Sequence, residues 1–300
     1  MKLTPRNILT YIYANYLLLR GDVHKAITRL KNGQYILSIY FHDPSKPLFS
    51  KCVKWLNQQG IFFIDLNTLH DISLGNMPFP KGAAVLTVDD GWKTNKTNIV
   101  ELAQQQNIPV AIFVTTEPVL TGNGYWWSYV KLANKAGYLN ISPEQVKLME
   151  NKSRVELLTK LKDRFCVGRE AMTVDEIQEV EKNSKVVIGS HTVTHPILPR
   201  CTDEEVYLEL SHSKEQLEEM LQHEINGFAY PNGDFSEREI SMVQSAGYRL
   251  AFTTRPNYLT ADNIKEKYKL PRFEVLKDVS FAENICRMSG VWFKKTTPKT

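Results

Sequence analysis

This chain has no C-x-x-C pair, and its four cysteines (Cys52, Cys166, Cys201, Cys286) lie far apart in 300 residues. That spacing fits neither a disulfide frame nor a cysteine-held structural metal; it fits buried thiols in a reducing compartment. A block of one charge is also missing. Lys and Arg number 37 against 33 Asp and Glu, a formal net charge of +4. With no basic stripe and no recognition motif, a nucleic-acid partner is not expected. Pro-rich linkers, internal repeats and low-complexity tracts are absent, so one catalytic domain is expected rather than two. No apolar run is long enough to span a bilayer as a helix. Residues 8–19 lean apolar behind Lys2 and Arg6, but Thr10 and Asn15 interrupt them and Arg20-Gly21-Asp22 ends them. No small-x-small cleavage site follows. The expectation is a cytoplasmic protein whose first helix packs on the domain, with peripheral membrane contact as the alternative.

What is present is more specific. The apolar run Ala83-Ala84-Val85-Leu86-Thr87-Val88 ends in Asp89-Asp90-Gly91. About a hundred residues later Val186-Val187-Ile188-Gly189 leads to His191-Thr192-Val193-Thr194-His195-Pro196. Two imidazoles and one carboxylate are a common ligand set for a catalytic zinc that keeps a position open for water. A second carboxylate beside the first leaves one free to act as base. Either stretch alone is weak, since Asp-Asp-Gly is usually a turn. Together they carry weight, because both stand where a strand runs out, and ligands in α/β folds bind at the carboxyl ends of strands.

The order of elements agrees. Strands are expected at 35–41, 61–64, 83–88, 109–114, 186–190, 227–231, 250–253 and 269–275, with helices alternating between them. Thr202-Asp203-Glu204-Glu205 opens a long helix with a capping-box pattern. Residues 124–184 break the rhythm with Lys, Glu and Leu at helical spacing and few strand formers. We expect an α/β fold, a distorted (β/α) barrel of about seven parallel strands. The expected division is a helical extension at 1–34, a barrel at 35–293 with a helical insertion near 124–184, and a flexible tail at 294–300.

At these residues the chain resembles the polysaccharide deacetylase family. The likeness rests on Thr87-Val88-Asp89-Asp90-Gly91, on Ser190-His191-Thr192-Val193-Thr194-His195-Pro196 and on Phe228-Ala229-Tyr230-Pro231-Asn232-Gly233. It implies hydrolysis of an N-acetyl group from an amino-sugar saccharide by attack of metal-bound water. Asp90, His191 and His195 would hold a divalent metal, zinc by default with cobalt or nickel able to substitute. Asp89 would be the general base, because a metal ligand has its lone pairs committed. A backbone N–H near Asn232 resembles the family's oxyanion donor, and Tyr230 beside it is a candidate substrate contact.

The departures from the family pattern are equally informative. The third motif lacks both the family's arginine and its tyrosine; the arginine orients the base, and Arg272, in Leu270-Pro271-Arg272, is proposed to replace it. The late leucine-x-histidine motif that supplies the general acid is absent, and no histidine follows His223. His42 alone among the remaining histidines stands at a predicted strand end, as active-site acid or substrate contact. Trp92 is expected to line the site, whereas Tyr125-Trp126-Trp127 reads better as an anchor for the insertion than as a sugar platform. The substrate would be an N-acetylated saccharide; if it is lipid-linked, the peripheral membrane contact follows. Two other readings stay open: an amide hydrolase acting on a non-sugar, and a weakened saccharide-binding pseudo-enzyme.

Overall fold

The computed structural model describes residues 4–182 and 185–296. Its strands are β1 (Leu37–Phe41), β2 (Phe62–Phe63), β3 (Ala83–Val88), β4 (Val110–Val114), β5 (Val186–Ser190), β6 (Gly227–Ala229), β7 (Leu250–Phe252) and β8 (Phe273–Glu274). All pairings between them are parallel. Seven run in the order β7-β6-β5-β4-β3-β1-β8, and the two-residue β2 pairs with the start of β3. The ends of this path approach each other. Leu270 N–H donates to Ala251 O and Thr253 N–H to Leu270 O, both at 2.9 Å. The segment leading into β8 thus lies along β7 and curls the sheet into the distorted barrel expected from sequence.

Helices α1 (Pro5–Leu19) and α2 (Asp22–Lys31) precede the sheet. Next come α3 (Lys46–Gln58), α4 (Leu66–Leu74), α5 (Glu101–Gln106) and α6 (Thr116–Thr121), interleaved with the first four strands. The strand-poor stretch between β4 and β5 folds as α7 (Trp126–Lys135), α8 (Pro143–Lys147), α9 (Asn151–Arg164) and α10 (Val174–Glu181). Trp126, Tyr129, Val130, Ala133, Val146, Leu158 and Leu161 give it a small apolar cluster of its own. Beyond β5 lie α11 (Asp203–Leu221) and α12 (Glu237–Ser245), and α13 (Phe281–Met288) follows β8. Thr202 caps α11 in a reciprocal box with Glu205, as the sequence pattern indicates. Of the tail expected at 294–300, residues 297–300 lie outside the described residues, and 294–296 belong to a 3-10 turn, Val291–Thr296.

Strand alternation decides which side chains reach the barrel mouth. On β3, Ala84, Leu86 and Val88 pack outward under the helices, while Ala83 and Val85 fill the barrel. The inward row continues through Thr87 to Asp89. On β1 the outward set is Leu37, Ile39 and Phe41, so the inward row ends at His42. On β5 it is Val186 and Ile188, so the inward row ends at His191. Before β8, Leu270 lies in the barrel and Phe273 outside it, which turns Arg272 inward. Four chemically capable residues, three at the ends of β1, β3 and β5 and one leading into β8, therefore converge at one rim.

Candidate metal centre and active site

Asp90, His191 and His195 each offer a ligand atom, and these atoms lie within 4.8 Å of one another. All three residues are buried. His191 Nε2 and His195 Nε2 lie 3.7 and 3.8 Å from Asp90 Oδ1. Those separations exceed hydrogen-bond length. They approach the ~3.4 Å between tetrahedral ligands on bonds of about 2.1 Å. The donor set also has the right protonation. Burial holds the His191 ring below its ordinary pKa, although Asp89 and Asp90 pull the other way. Burial, with His191 and Arg154 nearby, holds His195 well below. Both rings are thus neutral near pH 7. His191 Nδ1–H donates to Ala229 O at 2.7 Å, which fixes the tautomer and leaves Nε2 with its lone pair toward Asp90. The residues fit a divalent metal.

Local backbone geometry presents these groups. Asp90 (φ 76°), Thr192 (φ 67°), His195 (φ 54°) and Asn232 (φ 58°) all occupy the left-handed region. For β-branched Thr192 that is a costly conformation, and such strain gathers at functional sites. Gly91, at φ 80°, cannot be replaced cheaply, since a Cβ there would stand 3.1 Å from the Val114 side chain. Trp92 Nε1–H donates to Asp90 Oδ2 at 2.8 Å, leaving Oδ1 to face the histidines. Tyr125 Oη–H holds the Asp90 carbonyl at 2.9 Å.

Asp89 is placed differently. Arg272 grips it with both arms, Nη1 to Oδ1 at 2.7 Å and Nη2 to Oδ2 at 2.8 Å. Nη1 also donates to Thr87 Oγ1 and Nε to Thr253 O, both at 2.9 Å. The guanidinium lies over the Tyr40 ring, 4.5 Å from its centroid, with no solvent exposure. Burial by itself would raise the Asp89 pKa. Arg272, aided by His191 and His42, outweighs it and holds the carboxyl below its usual range. Asp89 is therefore an oriented anion, in the geometry of a base with a fixed approach.

One cavity of about 360 Å³ joins these parts, with His42, Asp89, Asp90, Trp92, His191, His195 and Asn232 on its wall. Arg272 stands behind Asp89. Tyr230 is not brought there. It shares the outward face of its strand with Phe228, is fully buried, stacks on Phe235 and donates its hydroxyl to Tyr268 O. The expected contact between Tyr230 and substrate is corrected on that ground: residue parity, not motif membership, sets its direction. The aromatic triplet divides its roles, Tyr125 and Trp126 buried as anchors and Trp127 lining the cavity.

Sequence reasoning missed several wall residues. Lys131, Glu144 and Lys147 reach the cavity from α7 and α8, and Lys147 Nζ donates to Asn232 Oδ1 at 2.8 Å. Glu274 to Lys277 close the opposite side, where Lys277 pairs with Asp43 at 3.3 Å. Nothing in their local sequence separates them from other polar helix or loop positions.

Known proteins share this fold. A curated protein of Bacillus subtilis (strain 168), YxkH, provisionally named a polysaccharide deacetylase, is 26% identical over 121 residues, 39% of this chain. The match spans 42% of that relative's length. Among solved structures, the Streptococcus pyogenes deacetylase PplD superposes with a TM-score of 0.63 at 16% identity, over 85% of this chain and 98% of that one. IcaB from Ammonifex degensii gives 0.62 at 17%, over 85% and 97%. At such identities the likeness is one of fold. The family itself is settled by sequence: the polysaccharide deacetylase model matches residues 76–251, more than half of the chain, and both strand-end motifs lie inside that stretch. The chain belongs to the polysaccharide deacetylase family.

Proposed function

We propose that this protein is a metal-dependent hydrolase that removes an N-acetyl group from an amino-sugar saccharide. Asp90, His191 and His195 would hold the cation, zinc first, with cobalt or nickel as substitutes. Such a cation supplies Lewis acidity, making water a better nucleophile and drawing charge from an acyl oxygen. The remaining roles fall to the chain. Asp89, kept anionic and aimed by Arg272, takes the proton of the attacking water. The turn at Asn232 offers backbone N–H to the oxyanion; one such donor is worth roughly 3 kcal/mol. His42, on the inward row beside Asp89, gives a proton to the departing amine or contacts the sugar. Trp92 and Trp127 supply aromatic surface on the wall.

The observation that carries this reading is the juxtaposition of a buried, arginine-bound Asp89 with the Asp90–His191–His195 cluster in one cavity. We read 35–293 as the catalytic unit, with 1–34 an extension and 124–184 an insertion. All four cysteines are unbridged, which supports a reducing compartment. No described helix is long and apolar enough to cross a membrane. Helix α1 does expose Leu9, Ile12, Tyr16 and Leu19, and Asn7 Nδ2 donates to Asp278 O beside the cavity wall. A lipid-linked saccharide met at a membrane surface would suit that face, and vesicle co-sedimentation reads it directly.

The test is acetate release from a panel of N-acetyl amino sugars and oligomers, with simple amides alongside, before and after chelation. Chelator-sensitive release from saccharides alone is expected. Release from simple amides instead would move the substrate outside sugars. Tight saccharide binding without any release would make the chain a binding protein.

A further inference from the structure

The loop that carries His195 is fastened by charged side chains from outside the barrel. Every backbone polar group from Thr192 to His195 has a named partner, as buried peptide groups require. Two carbonyls take N–H donors from the start of α6, Thr116 N–H to Thr192 O at 3.1 Å and Glu117 N–H to Val193 O at 2.9 Å. The next two take Arg154 of α9, whose Nη2 donates to Thr194 O at 2.8 Å and to His195 O at 3.2 Å. The indole of Trp126 donates to the same His195 carbonyl at 3.2 Å. On the donor side, Glu209 Oε2 of α11 accepts from Val193 N–H at 2.8 Å and Thr194 N–H at 2.9 Å, while Oε1 accepts from the Thr194 hydroxyl at 2.6 Å. Thr192 N–H goes to Ser190 Oγ and His195 N–H to Thr192 Oγ1.

The two charged residues thus divide the peptide groups between them. A buried cation takes carbonyls, and a carboxylate takes N–H groups. Arg154 is itself held in place: 2% exposed, donating Nη1 to Asn151 Oδ1 at 3.0 Å and lying over the Trp126 ring at 5.2 Å. Left-handed backbone at both Thr192 and His195 is unfavourable for these residue types, so it persists only where surroundings over-determine it. We propose that Arg154, with Glu209 as its counterpart, is a positioning residue for His195, so that the helical insertion sets the affinity of the Asp90–His191–His195 cluster for its metal. The proposal rests on the metal reading above and adds a role for the insertion besides walling the cavity.

The test reads metal binding without substrate. Zn²⁺ or Co²⁺ dissociation constants are measured by chelator competition for the wild type, Arg154→Met, Glu209→Gln and Leu158→Ala. Methionine keeps apolar bulk over Trp126 but has no donor. Leu158→Ala loosens the insertion cluster while keeping every side chain that hydrogen-bonds the loop, and so reports what mere destabilisation does. Removing support of this kind typically weakens metal binding 10–100-fold. We expect about that loss for Arg154→Met, about tenfold for Glu209→Gln, and an unchanged constant for Leu158→Ala despite a lower melting temperature. The Co²⁺ absorption spectrum of Arg154→Met should shift as His195 moves. Should Arg154→Met fail to fold, Glu209→Gln against Leu158→Ala decides alone. Wild-type affinity in the loop variants, or an equal loss in Leu158→Ala, overturns this inference only. A wild-type chain that takes up no metal overturns the metal reading beneath it as well.

Discussion

The two loops that meet at the Asp90–His191–His195 cluster are braced from opposite directions. After β3, the brace comes from within the barrel: one buried guanidinium grips both oxygens of Asp89, and a neighbouring indole fixes one oxygen of Asp90. After β5, it comes from outside, through Glu209 on α11 and Arg154 on α9, and it acts on backbone rather than on the functional side chain. The inner brace sets charge, since it holds the Asp89 carboxyl below its usual pKa where burial alone would raise it. The outer brace sets shape, since it enforces an unfavourable backbone conformation. The charge of Asp89 and the geometry of the Asp90–His191–His195 cluster are thereby under separate control.

The strongest way to break that separation is Asp89→Asn. The amide keeps the shape and still accepts from one arm of Arg272; alanine would leave the guanidinium buried and unpaired, at about 3–5 kcal/mol. Loss of the free base is expected to lower kcat by about 10²–10⁴-fold with the metal still bound, while His195→Ala loses both. Metal analysis beside the assay checks this, and an empty site in Asp89→Asn would show that the two loops are not separable. Next in size is Arg272→Gln. Arg272 is the main influence lowering the Asp89 pKa against burial, so its removal raises that pKa. A base of higher pKa is protonated at higher pH, so the acidic limb of kcat/KM should move upward. Stability follows the same sign. A depressed carboxyl stabilises the fold above its unfolded value of about 3.9 and loses that contribution as pH falls through its folded value. The variant should lack that acid-side term in melts taken across pH. A limb that stays in place would remove Arg272 from the base's control.

The inner brace was largely legible in the sequence and the outer one was not. Asp89, Asp90, His191 and His195 stand at the ends of apolar runs, and a local pattern suffices to find a strand end. Arg272 was found by a gap in a motif, although it meets Asp89 across 183 residues. Tyr230 shows where that style of reasoning stops. Its motif suggested the cavity, but alternation with Phe228 and Ala229 turns it under the helices. Arg154 and Glu209 carried no signal, because a polar residue on an amphipathic helix looks alike whether it faces water or a buried loop. Periodicity specifies that α9 and α11 exist; it does not specify how they dock. The same limit hid Lys147, whose contact with Asn232 depends on where α8 comes to rest.

The smallest expected effect sharpens the comparison from the inner side. Trp92 touches the Asp90–His191–His195 cluster through one hydrogen bond, Nε1–H to Asp90 Oδ2, and packs against Tyr125 with ring centroids 4.6 Å apart. Trp92→Phe retains an aromatic ring there and removes the donor. Asp90 Oδ1 faces both histidines regardless, and the Asp90 backbone remains tied by Tyr125 and by Thr115 N–H. The carboxylate therefore gains freedom about one torsion while its position holds. Second-sphere losses begin at about tenfold in metal affinity, and this one should lie at that lower edge, below Arg154→Met. Chelator competition ranks the two directly. If Trp92→Phe weakened binding more than Arg154→Met, orientation of the carboxylate would matter more than the shape of the histidine loop, and the division of labour drawn here would be reversed.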